Sequence, residues 1–137
     1  MAAPMSAAAA PGGSPAAAAQ GPRVYLASNC ITPRYRPTTI IVACADAGAM
    51  VRGVTWSEWT NRLANGSGYA RINDCAPNCA VGTFHSYPVL VTLSGPRPCP
   101  NTGRTQFTRV TLFFSAQRPV GYAQRTVYTP GCGLDRD

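Results

Sequence analysis

The chain has 137 residues and a formal charge of +7, which allows one domain with a core of its own and leaves cross-links a useful part in stability. All twelve basic residues are arginine, set against five acidic ones. They are scattered (Arg34, Arg52, Arg71, Arg97, Arg109, Arg118) and accompany no recognised binding motif, which argues against specific nucleic-acid recognition. No stretch approaches the roughly twenty apolar residues of a membrane span.

Residues 1–22 are low-complexity Ala, Pro, Gly and Ser. They lack a basic start, and Pro4, Pro11 and Pro15 break the alanine blocks, so the segment does not read as an intact signal peptide. Its composition suits a disordered tether or the end of a leader, ahead of a single domain over 23–137. Leu26-Ala27-Ser28-Asn29-Cys30 is close to a lipoprotein box, but Asn29 intervenes and no apolar stretch precedes it, so Cys30 is assigned to a disulfide.

Past the tether the pattern is that of strands. Residues 38–44 (TTIIVAC) form a short β-branched run, the pattern of a buried strand. Residues 50–66 (MVRGVTWSEWTNRLANG) resist that reading: Ser57 ahead of Glu58 and Leu63 predicts a short helix or helical turn, which would place Trp56 and Trp59 on one side. Paired tryptophans also suit stacking on a sugar ring. Trp56, which follows an apolar stretch, is assigned to the core, and the more polar-flanked Trp59 is kept as a candidate ligand contact. Asn65-Gly66-Ser67 matches a glycosylation acceptor but is read as a turn.

Weaker strands are expected over 68–73 and 125–129. Residues 88–94 (PVLVTLS) alternate, with Val89, Val91 and Leu93 on one face, and 106–114 (QFTRVTLFF) alternate likewise, with Val110, Leu112 and Phe114 inward. NGSG, SGPRPCPNTG and TPGCG have turn compositions. The fold class is therefore all-β, a small antiparallel sandwich or open barrel with at most one short helix.

Cys30, Cys44, Cys75, Cys79, Cys99 and Cys132 make an even set in a sparsely charged chain, which predicts a disulfide framework and an oxidising compartment. Six cysteines allow about fifteen pairings, and spacing does not choose among them. The most chemically suggestive stretch is Asn73 to Cys79 (NDCAPNC), followed by the sole histidine, His85. A zinc set of Cys75, Cys79, His85 and Cys44 would be chemically legitimate, but thiolates need a reducing setting. A redox loop would want C-x-x-C at a helix start, and this is C-x-x-x-C between strands. A stapled turn, with Asn73 and Asp74 bonding local backbone, accounts for the residues best. Neither a metal nor a cofactor is expected.

IIVACADAGAMVRGVTWSEW, NDCAPNCAVGTFHSYPVLVTLS and FTRVTLFF together resemble a family of small secreted proteins of unassigned function found in actinobacteria such as streptomycetes. The likeness covers about residues 37–119 and rests on Cys44-Ala45-Asp46, Trp56-Ser57 with Trp59, Asn73-Asp74-Cys75, Pro77-Asn78-Cys79-Ala80 with Gly82, and His85 through Val89. It implies an extracellular or envelope location and a β-rich, disulfide-bonded fold, and it carries no known chemistry. Cys99 and Cys132 stand outside that pattern, which favours pairing them with each other. Cys44 is expected to join the Cys75/Cys79 region.

The expected function is that of an exported, non-catalytic binding module at the cell envelope, taking an anionic wall polymer or an envelope protein through Trp59, His85, Tyr87 and Arg71. The arginine surplus suits an anionic partner, although arginine without lysine is also what a GC-rich genome writes into any surface. One competing reading is a small secreted hydrolase centred on His85, Asp74 and Ser86. Another is a structural protein that associates with itself.

Overall fold

The structure, a computed structural model, describes residues 22–134. Residues 1–21, to which nearly all of the expected tether belongs, lie outside that range. Eight strands follow one another: β1 (Val24–Ala27), β2 (Pro33–Arg34), β3 (Ile40–Ile41), β4 (Ala49–Trp59), β5 (Ala64–Asn73), β6 (Phe84–Cys99), β7 (Arg104–Phe114) and β8 (Arg125–Tyr128). There is no helix among the described residues. The strands form one sheet in the order β2-β1-β7-β6-β5-β4-β3, with β8 added beside β7. Every pairing is antiparallel except β1 with β7, which run parallel.

The long hairpins are built from alternation. Val89, Val91 and Leu93 of β6 face Phe114, Leu112 and Val110 of β7 in register, and all six are buried. Ala64, Ala70 and Ile72 of β5 continue this layer, and Val51 and Val54 of β4 close it. Burying each large apolar side chain contributes about 1.5–3 kcal/mol, so this face accounts for most of the drive to fold.

The sheet curls into a half-barrel around that face. Its open side is crossed by the chain between β1 and β4, where the Ile41 amide donates to the Ser28 carbonyl and the Val54 amide to the Thr38 carbonyl. Cys30 and Cys44 are bonded across the same gap. The all-β, disulfide-stapled class is the one read from the sequence. Of the two forms expected, sandwich or open barrel, the curled sheet corresponds to the open barrel, and the expected antiparallel order is broken by one parallel pairing.

Four local expectations are corrected. The buried strand expected over 38–44 is the two-residue β3, in which Ile40 is buried while Thr38, Thr39 and Cys44 around it are exposed. The helical turn expected within 50–66 is the end of β4. Two register shifts, between Arg52 and Thr55 and between Trp56 and Glu58, interrupt the period of two that marks a strand. Gly53 takes φ 61° at the first, and the second brings Trp56 and Trp59 to the same face with ring centroids 4.8 Å apart.

The NGSG turn is instead part of β5, opposite Thr55 and Trp56. Gly66 is there for closeness: a Cβ would lie 2.6 Å from the Thr55 carbonyl oxygen and 2.8 Å from the Trp56 ring. The reversal itself lies at Thr60–Leu63, where the Thr60 hydroxyl accepts from the Arg62 and Leu63 amides. Likewise β6 runs on through the proline-rich stretch as far as Cys99.

The pairing expected for Cys44 is corrected as well. Cys44 bonds Cys30, and Cys75 and Cys79 bond each other, whereas Cys99 and Cys132 are joined as anticipated. The curl explains this, because it brings the ends of β1 and β3 together and leaves the β5–β6 loop at another corner. The Cys99–Cys132 bond straps the C-terminal segment over Gln106, whose buried Oε1 accepts from the Thr102 hydroxyl and the Gly133 amide.

Candidate ligand-binding site

NDCAPNC lies in the loop between β5 and β6, and its polar side chains hold it in shape. Asn73 Oδ1 accepts from the Cys75 amide at 2.9 Å and Asn73 Nδ2 donates to the Cys79 carbonyl at 2.8 Å. Asn78 Oδ1 accepts from the Ala80 and Val81 amides. Asp74 Oδ1 accepts from the Ala76 amide at 3.1 Å and the Thr83 amide at 2.9 Å. These are the side-chain-to-backbone bonds that make Asn and Asp turn formers. Gly82 seals the arrangement, since a Cβ there would meet Asn73 Oδ1 at 2.1 Å and the Cys75 nitrogen at 2.8 Å. The stapled turn expected from the sequence is what the loop is.

The staple also positions a side-chain pair. Asp74 Oδ2 lies 3.0 Å from His85 Nε2, within hydrogen-bond distance. Asp74 ionises at about 2, well below the ordinary 3.8, because the Thr83 amide, then His85, then the Ala76 amide bond its charged form. The carboxylate fixes the histidine ring through Nε2, so a ligand group would be met by Nδ1. His85 faces Ile72 on β5, on the barrel side of the sheet but beyond the end of the core, and it is exposed.

A pocket of about 330 Å³ opens beside this pair, with Tyr87, Tyr122, Pro119 and Val120 among its walls. Tyr87 is the next inward residue of β6 after His85. Its ring and that of Tyr122 each stand edge-on to the Phe114 ring, with centroids 6.0 Å apart in both contacts. The Tyr122 amide donates to the Pro119 carbonyl, which folds the β7–β8 connection over the barrel end. Two half-buried phenol rings sharing a pocket with an imidazole and a carboxylate suit a ring-shaped ligand that stacks and hydrogen-bonds.

Of the residues singled out by the sequence, His85 and Tyr87 therefore meet. Arg71 does not join them. It faces Ser86, donates to that hydroxyl at 3.1 Å and lies 5.7 Å from the Phe84 ring centroid, all on the outer face of the sheet. Ser86 is turned away from His85 by the same alternation, and no Ser, Thr or Cys side chain is among the pocket walls.

Trp59 is at the other end. It stands opposite Ala64, which stands opposite Leu93, eight residues or about 26 Å of strand from His85. Its indole N–H donates to the Val24 carbonyl, and its ring packs on Trp56, Tyr35 and Phe107. The cysteines of the conceivable zinc set are all in disulfides.

Tyr122, Pro119 and Val120 escaped the sequence reading. Their signal was an aromatic next to a Pro-Val-Gly turn, a pattern too common to single out. No protein-family model, curated protein or solved structure compared with this chain matches it.

Proposed function

We propose that this chain is an exported, non-catalytic binding module that works at or beyond the cell envelope and takes an anionic wall polymer, with an envelope protein as the alternative ligand. The observation that carries the reading is the pre-formed pocket at the barrel end, where the stapled loop fixes Asp74 and His85 beside Tyr87 and Tyr122. Export is supported by three disulfides in a small domain. It is also in keeping with the resemblance to secreted actinobacterial proteins, and no helix among the described residues is long and apolar enough to cross a membrane.

The charge pattern supports an anionic ligand. The described carboxylates are taken by other groups: Asp46 by the Gly48 amide, Glu58 by Asn65 and Asp74 by His85. The arginine surplus draws a polyanion to the surface, while the aromatic rings and imidazole of the pocket take one ring of it. The test is cosedimentation with purified wall polymers at low and high salt. Retention that falls about tenfold in His85→Ala and Tyr87→Ala is expected; no retention of the unmodified protein even at low salt would sink the proposal.

A second reading draws on the same pair. A carboxylate-oriented histidine is the base of hydrolytic sites, but with Ser86 on the opposite face the nucleophile would have to be water. Turnover of ester or glycoside substrates that is lost in His85→Ala would favour this reading over binding alone.

A further inference from the structure

We propose that the outer face of the sheet, opposite to the barrel core, docks a protein partner that presents carboxylates around an apolar centre. This goes beyond the pocket, which lies on the other side of the sheet.

An apolar band crosses the outer face diagonally. Leu90 on β6 stands opposite Phe113 on β7. Tyr69 on β5 is two residues from Ser67, the partner of Leu90, and Val127 on β8 is opposite Thr111, two residues from Phe113. Each member is thus a direct or diagonal neighbour of the next, within about 7–8 Å, and the band spans four strands, about 14 Å. Tyr69 is 56%, Leu90 50% and Val127 49% exposed. The solvent face of an antiparallel sheet is ordinarily polar, so a continuous apolar band there marks a surface that is covered in use.

The charges around the band say by what. Arg52 is opposite Tyr69 at one end. Arg125 is opposite Phe113 at the other, its guanidinium carbon 5.7 Å from the ring centroid. Arg71 and Arg109 lie two positions from Tyr69 and Thr111 on the same face. The described carboxylate on this side, Glu58, sits at the β4 edge and accepts from Asn65.

A second copy of the chain would set these arginines against each other, which disfavours self-association through this face. A bare polyanion would satisfy the arginines and leave Leu90 and Val127 in water. A protein surface with carboxylates flanking apolar side chains answers both, and aromatic and arginine side chains together are the composition of interface hot spots.

The test is an NMR titration of the full chain with three probes: a peptide alternating Glu and Leu, polyglutamate of equal length, and polyphosphate. The Glu/Leu peptide should shift the amides of Tyr69, Leu90, Phe113 and Val127 and bind about tenfold more tightly than polyglutamate. Leu90→Ser combined with Val127→Ser should remove that advantage, and Arg52→Glu combined with Arg125→Glu should abolish binding of both peptides. Absence of shifts at these four amides in the unmodified protein would overturn the proposal. So would polyphosphate binding as tightly as the Glu/Leu peptide, which would make the face a general polyanion surface. The mapping on the unmodified chain decides the matter even if a variant fails to fold.

Discussion

The Trp59 indole donates a 3.0 Å hydrogen bond to the Val24 carbonyl, joining β4 to β1, strands that are not neighbours in the sheet. The bond closes the half-barrel at one end, and the ring supports it by lying edge-on to Phe107 and Trp56. Trp59→Phe keeps an aromatic ring there and loses the donor, with an expected cost of about 1–2 kcal/mol. Trp59→Ala also removes the packing and should cost about 3 kcal/mol or more. Urea unfolding followed by far-UV circular dichroism measures both, and equal midpoints for the two variants would show that the bond, not the ring, matters.

Gly82→Ala should disturb the β5–β6 loop far more than an exposed alanine ordinarily does. Its Cβ would fall where Asn73 Oδ1 accepts the Cys75 amide. We expect a loss of about 1–3 kcal/mol, together with displaced resonances for His85 and Thr83. Unchanged His85 shifts would mean that the loop has another way to close.

The acid behaviour of the loop follows from Asp74. Its ionisation lies at about 2 in the folded chain against 3.8 ordinarily, so the contribution is fully present above 3.8 and is lost as pH falls through about 2. The Thr83 and Ala76 amide shifts should therefore show an acid transition below about pH 3, with a midpoint near 2. In Asp74→Asn the transition should vanish. A midpoint near 3.8 in the unmodified protein would mean that the amide bonds do not favour the charged form.

The three disulfides close loops of unequal length, with separations of 33, 14 and 4 residues. Loop-closure entropy ranks their removal at about 4 kcal/mol for Cys99–Cys132, 3 for Cys30–Cys44 and 2 for Cys75–Cys79. Paired Cys→Ser variants and thermal unfolding check the order. Intact mass should rise by about six hydrogens on full reduction.

What could be read from the sequence was whatever kept a clean period. The strands around Val89–Leu93 and Val110–Phe114 alternate without interruption, and the alternation alone identifies their inward faces. β4 was not legible, because the shifts beside Gly53 and Trp56 reset its alternation and left two tryptophans three apart, a helical spacing. The glycines of β5 looked like a turn because composition does not distinguish freedom of φ from the need for a close neighbour.

At the candidate site, the Asp74 and His85 partnership was imaginable but its geometry was not. Arg71 and Ser86 lie on the other face from His85 for a simple reason, that neighbours along a strand look in opposite directions. Tyr122 arrives from a connection with no periodic signal. The Cys44 pairing depends on how far the sheet curls, a property of all the strands together.

The alternation along β6 has a consequence for how this protein can change. From Phe84 to Leu90, odd-numbered positions look to the pocket and core and even-numbered ones to the outer face. Adjacent codons therefore answer to different surfaces. A mutational scan of this strand should oscillate with a period of two in each of two separate assays, the troughs of one falling on the crests of the other. A gene so arranged can retune one surface without surrendering the other.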